Sequence, residues 1–190
     1  RQENVKMSLF EKRAVAAAVR TEEDFLAALK SDVDVIFLLY SSITTVGEHI
    51  KKIHDAGKQA YIHMDFAEGI GKDRAGLAYI KSLGADGILT TKTSMIRPAK
   101  ECGLITVQRF FIVDSHSIDT AADSIRIAKP DVVEIMPGIV CRKLKEFSGR
   151  VSGTPILAGG LIEFKEDVDN AIEAGAAAVS TANRELWNYK

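Results

Sequence analysis

The stretch Pro155-Ile-Leu-Ala-Gly-Gly-Leu161, echoed by Ala176-Ala-Ala-Val-Ser-Thr-Ala-Asn183, decides the fold. Each is a short apolar strand that ends in small or hydroxyl residues and runs into a helix. Gly159 and Gly160 carry no Cβ, so a ligand can approach the backbone closely there. Ser180, Thr181 and Asn183 stand where the next strand opens onto its helix, and N–H groups at a helix start suit an anion. Two such turns on the last two strands of a barrel form the phosphate cup of many (β/α)8 proteins. The ending therefore implies an α/β barrel that holds a small phosphorylated molecule.

Outward from this ending, apolar runs of strand length cover 14–19, 33–40, 59–64, 87–90, 104–111, 132–136, 155–157 and 178–180. Apolar character on both faces is expected of parallel strands buried on both sides. Helical spacing covers 22–29, 44–56, 73–83, 94–102, 117–129, 140–147 and 165–174, and a last helix is expected over 184–190. Strands and helices in strict alternation imply a parallel sheet, which right-handed crossovers can close. The reading is a short TIM-type (β/α)8 barrel over 13–190, with 1–12 a charged tail or surface extension. An open doubly wound sheet is the alternative, but Val15-Ala-Ala-Ala-Val-Arg20 stands where its Gly-x-Gly-x-x-Gly would fall.

Of 190 residues, 46% are hydrophobic and 27% charged, as in an ordinary globular domain. Lys plus Arg (25) nearly balances Asp plus Glu (26), so no global basic field advertises a nucleic acid. Cys102 and Cys141 show no metal spacing and read as free thiols in a reducing cytoplasm. No apolar run is long enough to span a membrane and no signal-peptide pattern opens the chain.

Function in a barrel collects at the C-terminal ends of the strands. Those ends carry Arg20, His63 and Asp65, Lys92, Arg109, Glu134, Gly138, Gly159 and Gly160, and Thr181 with Asn183. His63 and Asp65 are two apart and share a strand face. Glu134 lies within Val132-Val-Glu-Ile-Met136, and a carboxylate is seldom buried there without a partner. Arg20 with Glu134 or Asp65 could equally be ion pairs that plug the barrel, and Asp114-Ser115 suits a helix cap. No nucleophile–His–Asp order, metal spacing or Walker loop is present, so neither a catalytic set nor a metal or cofactor is expected.

Several stretches together resemble the glycerol-uptake operon antiterminator family. They are Ile62-His-Met-Asp-Phe-Ala-Glu-Gly-Ile70, Gly87-Ile-Leu-Thr-Thr91, Gln108-Arg-Phe-Phe111 and Lys129-Pro-Asp-Val-Val-Glu-Ile-Met-Pro-Gly-Ile-Val140, followed by the two quoted first. The likeness runs from about Ala18 to Trp187. It implies a cytoplasmic regulator, not an enzyme, that senses glycerol 3-phosphate and acts on the leader mRNA of glycerol-utilisation genes. By this resemblance Asp65, Arg109, Glu134, Gly138, Gly160 and Asn183 would hold the effector. Position 92 is Lys where Arg or another polar group is expected, which leaves its ligand role open.

The residues themselves offer RNA only local basic clusters and no pattern of exposed aromatic platforms. Arg142, Lys143 and Lys145, just after Pro137-Gly138, are the leading candidates for an RNA surface. The reading is an effector-responsive RNA-binding protein, with a homo-oligomer left open. A phosphosugar-type barrel enzyme (isomerase, lyase or glycerol-phosphate prenyltransferase-like) using Asp65 or Glu134 as base is the alternative.

Overall fold

A computed structural model describes residues 14–151 and 153–189. The proposed 1–12 extension and Lys190 lie outside the described residues. Eight parallel strands close into a barrel in chain order: β1 (Val15–Val19), β2 (Val35–Leu38), β3 (Gln59–His63), β4 (Gly87–Thr90), β5 (Ile105–Phe111), β6 (Val132–Met136), β7 (Ile156–Gly159) and β8 (Ala178–Thr181). β8 returns to β1 through Val15↔Val179 and Ala17↔Thr181.

Among the described residues seven α-helices cover the outside: α1 (Glu22–Lys30), α2 (Val46–Asp55), α3 (Arg74–Ser82), α4 (Thr93–Glu101), α5 (Ser115–Ala128), α6 (Cys141–Arg150) and α7 (Lys165–Glu173). Thr21, Asp73 and Asp114 start α1, α3 and α5 by accepting the N–H of Asp24, Gly76 and Ser117. Each cap satisfies a donor that the first helical turn leaves free. Ser41–Ser42 pairs with Ala67–Glu68 in a short parallel ribbon beside the barrel, which the sequence reading lacks.

The alternation of strand side chains sorts the core into two layers. Val15, Ala17 and Val19 face the helices, as do Val133 and Ile135 of β6. Ala16, Phe37, Tyr61, Leu89, Val107, Val132, Leu157 and Ala178 fill the barrel. Two residues further along, the same inward rows carry His63, Arg109, Glu134, Gly159 and Ser180. An apolar plug thus ends at its C-terminal side in a polar layer.

The last expected helix is corrected. After β8 the chain makes a five-residue 3-10 helix, Arg184–Asn188, and not an α-helix over 184–190. Two contacts hold it in the tighter form. Asn183 caps it by accepting the N–H of Glu185 at 3.0 Å. The Trp187 indole folds back against the barrel wall and donates from Nε1 to the Thr181 carbonyl at 2.9 Å.

Trp187 is 2% exposed and closes the seam between β8 and β1. Trp187→Ala leaves a large cavity and an unsatisfied carbonyl, and should destabilise the fold by about 3–5 kcal/mol. Urea unfolding checks this, and a loss below about 1 kcal/mol would show that the indole is not part of the seam.

Candidate functional site

The polar layer is organised by one ion pair. Arg109 and Glu134 are register partners on β5 and β6, 7% and 0% exposed. Arg109 donates from Nε to Glu134 Oε2 at 2.5 Å, and Ser180 donates from Oγ to Glu134 Oε1 at 2.5 Å. Both carboxylate oxygens are therefore engaged, which a buried carboxylate requires. A Cβ on residue 159 would fall 2.5 Å from Glu134 Oε1 and 2.6 Å from Ser180 Oγ. Gly159 is the gap through which these two side chains meet.

Arg109 also reaches His63, with Nη1 at 3.2 Å from Nε2. A guanidinium only donates, so Nε2 is the acceptor and the ring proton sits on Nδ1. Burial and the Arg109 charge push the His63 pKa from 6.5 down to about 4. The imidazole is thus neutral near neutral pH. Its outer face carries the ring of Phe66, centroid to centroid 4.4 Å.

Above this network a cavity of about 560 Å³ opens between the loops after β1, β7 and β8. Of the residues expected from sequence, it brings together Arg20, Arg109, Gly160, Thr181 and Asn183. Among the described residues Arg20 has no ion-pair partner, unlike Arg109 beneath it. Ser180 also lines the cavity, as do the carboxylate-bearing Glu163 and Glu185.

The Thr181 and Asn183 side chains act differently from the expectation. Thr181 Oγ1 donates to the Ile162 carbonyl at 2.7 Å and accepts the Asn183 N–H at 3.0 Å. Asn183 Nδ2 donates to the Glu163 carbonyl at 2.7 Å. Both staple the β7 and β8 loops together and so shape the wall. Gly160, at φ +75°, turns the chain out of β7. Gly138 clips the β6 loop to that turn, its N–H 2.5 Å from the Gly159 carbonyl and 3.1 Å from that of Gly160. A Cβ there would come within 2.9 Å of Gly159 N.

Asp65 lies apart from the cavity. It leaves β3 in a single 3-10 turn, Met64–Phe66, which breaks the strand alternation that would have aimed it beside His63. Its carboxylate accepts Thr90 Oγ1 at 2.6 Å, Thr91 N–H at 2.8 Å and Thr91 Oγ1 at 2.7 Å. Partial burial opposes its ionisation, yet these donors hold its pKa below the usual 3.8. Lys92 is exposed at the start of α4 and does not line the cavity. Arg142, Lys143 and Lys145 occupy the first turns of α6, with Lys143 paired to Glu146 at 2.9 Å. Among the described residues no group of three or more His, Cys, Asp or Glu is arranged to hold a metal. No helix among them is long and apolar enough to cross a membrane.

Ser180 as the second clamp on Glu134 is the functional contact that sequence reasoning missed. Its signal was the period of two: Ser180 follows Ala178 on the inward row, at the polar level of Glu134.

Comparison with known proteins matches residues 15–187 to the family described as glycerol-3-phosphate responsive antiterminator. The uncharacterized protein YgcP of Escherichia coli (strain K12) is 36% identical over 182 residues, 95% of each chain. The glycerol uptake operon antiterminator regulatory protein of Listeria monocytogenes str. 4b F2365 superposes with a TM-score of 0.89 at 27% identity, covering 95% of this chain and 98% of that one. A glycerol uptake operon antiterminator-related protein of Thermotoga maritima MSB8 superposes with 0.83 at 32% identity, covering 92% and 97%.

The lowered pKa of His63 carries a pH dependence. Above pH 6.5 the ring is neutral in both folded and unfolded chains and contributes no difference. As pH falls from 6.5 toward 4 the unfolded chain takes up a proton that the folded one refuses, so stability is lost over that window. At about 1.4 kcal/mol per pH unit the loss approaches about 3 kcal/mol. His63→Gln, which keeps an acceptor for Arg109, should flatten the curve between these limits. Urea unfolding across the window checks it, and parallel curves for the two proteins would contradict the assignment.

Proposed function

Because the chain belongs to the glycerol-3-phosphate responsive antiterminator family, we propose that it binds glycerol 3-phosphate in the cavity between the β1, β7 and β8 loops and acts in the cytoplasm on leader mRNA of glycerol-utilisation genes. The observation that carries the ligand half is the free Arg20 guanidinium on a cavity floored by Arg109. A phosphate gains charge-assisted hydrogen bonds from a guanidinium whose donors are not already committed. Arg20 and the backbone of the turns at Gly160 and Ala182 take the phosphate in this reading. Arg109 and the neighbouring carboxylates of Glu163 and Glu185 face the hydroxyl end.

Sensing is favoured over turnover by the state of the acid–base candidates. Glu134 is held by Arg109 and Ser180, Asp65 by Thr90 and Thr91, and the His63 acceptor by Arg109. Each of these acceptors is already committed to a neighbour, whereas a general base needs reach to a substrate proton. The buried polar side chains of the described residues also include no lysine to form a Schiff base. Binding must favour one loop arrangement over another, since a ligand with equal affinity for both shifts nothing. For the RNA half, Arg142 and Lys145 on the exposed start of α6 have no ion-pair partner among the described residues.

Arg20→Ala should weaken glycerol 3-phosphate binding at least tenfold, given about 1.5–3 kcal/mol for a hydrogen bond to a charged group. Gly160→Val should abolish it in a folded protein, because the side chain adds strain at positive φ and bulk in the cup. Titration calorimetry decides both, and wild-type affinity in both variants would place the effector elsewhere. Incubation should leave glycerol 3-phosphate chemically unchanged; a conversion that vanishes in Glu134→Gln would instead mark an enzyme. Arg142→Ala with Lys145→Ala should reduce the slope of log RNA affinity against log salt by about 1.4. An unchanged slope removes α6 from the RNA surface.

A further inference from the structure

The face that carries the cavity is also where the chain leaves large apolar side chains in water. Among the described residues eleven large hydrophobics are exposed, and only Leu26, Ile127 and Ile172 of these sit on helix flanks. The other eight lie at or beyond the C-terminal ends of β2, β3, β5, β6 and β7. Three are phenylalanines: Phe66 and Phe111 at 56% exposure and Phe164 at 65%. Scattered apolar surface is normal, but such a concentration on one face marks a contact surface.

The charges of the same face say what kind of contact. On the helix flanks, cations are answered by acids, as in Lys51–Asp55, Arg74–Glu101, Arg126–Asp123 and Lys100–Asp131. From the loop after β3 to the start of α6, Lys72, Lys92, Arg142 and Lys145 have no acidic partner among the described residues. The acids in these loops are mostly spent inward. Asp65 is bound by Thr90 and Thr91, while Asp73 and Asp114 cap helices, leaving Glu68 exposed. Exposed aromatic faces interleaved with free cations are what an unpaired nucleic-acid strand requires: stacking for the bases and positive charge for the phosphates.

We propose that a single-stranded segment of RNA lies across this sector of the barrel mouth, its bases stacked on Phe66 and Phe111 and its phosphates on Lys72, Lys92 and Arg142. The proposal rests on the RNA-binding reading above and gives it a place and a mode. It also gives a route from effector to RNA. Arg109, which faces the effector cavity, lies two residues before Phe111 on β5 and is bonded to His63, whose ring carries Phe66. Each platform is thus tied to the guanidinium at the floor of the cavity, Phe111 through the strand and Phe66 through one ring.

The test uses a fluorescent pool of random single-stranded RNA, roughly 12 nucleotides long, with and without saturating glycerol 3-phosphate. Phe66→Ala and Phe111→Ala should each weaken binding by about tenfold, and Phe66→Tyr should restore it. Thermal unfolding and calorimetric affinity for glycerol 3-phosphate should stay at wild-type values, which separates stacking from misfolding. A perfectly paired hairpin of equal length should compete poorly, since its bases are already stacked. If wild type binds the pool and the double Phe variant binds it equally well, this inference is wrong while the RNA reading stands. If wild type binds no RNA in either condition, the RNA reading itself falls and takes this inference with it. If the double variant keeps RNA binding but dissolves a wild-type dimer in sedimentation, the face is a contact between copies and the inference is overturned.

Discussion

The buried contact of Arg109 with Glu134 is the constraint on which the C-terminal half of the barrel depends. Removing one partner of such a pair typically costs about 3–5 kcal/mol, because the other is left charged and dry. Neighbouring choices follow from that risk. Ser180 supplies the second hydrogen bond to the carboxylate, and Gly159 leaves the space in which they meet. His63 takes a remaining guanidinium donor, and burial together with that charge holds it neutral. Because Glu134 balances Arg109, the charges left at the cavity wall are those of Arg20, Glu163 and Glu185. A deep ion pair thus acts as an electrically neutral floor beneath a rim of mixed charge.

The loops above this floor are tied to one another more than to the barrel. Thr181 and Asn183 staple the β8 turn to the β7 loop, and Gly138 clips the β6 loop to the same place. Asp167 gathers the N–H groups of Glu163 and Phe164 at the start of α7. A ligand that presses on one loop therefore acts on three. This is the arrangement expected of a sensor, in which a small molecule biases a set of loops and the core beneath stays put.

Much of this was legible in the sequence, for physical reasons that differ from one element to the next. Strands buried on both faces announce themselves as apolar runs, so all eight were found with small shifts at their ends. The helix start at Asp114 followed from a side chain that can accept a backbone N–H. The final helix was misread because composition does not distinguish an α-helix from a 3-10 turn whose own indole is pinned to the Thr181 carbonyl. At the site, His63, Arg109 and Glu134 were named as strand-end residues, and the closed barrel brings them to one inward level. The period of two failed for Asp65, since the turn that begins at Met64 ends the alternation on which the inference rested. Thr181 and Asn183 were located correctly, but their use in stapling loops depends on which carbonyls come near, and no local pattern encodes that. The exposed rings of Phe66 and Phe111 escaped notice because they are far apart in sequence and come to the same end of the barrel only when it closes.

The central claim is that the lip formed by Arg20 over the Arg109 floor receives the phosphorylated effector. A crystal structure grown with glycerol 3-phosphate tests it most directly. The account predicts a phosphate within hydrogen-bond distance of the Arg20 guanidinium, in the cavity between the β1, β7 and β8 loops, with the Arg109–Glu134 pair unbroken beneath it. A phosphate bound at Asp65 and Lys72, or on the helix flanks with this cavity holding only water, would contradict it.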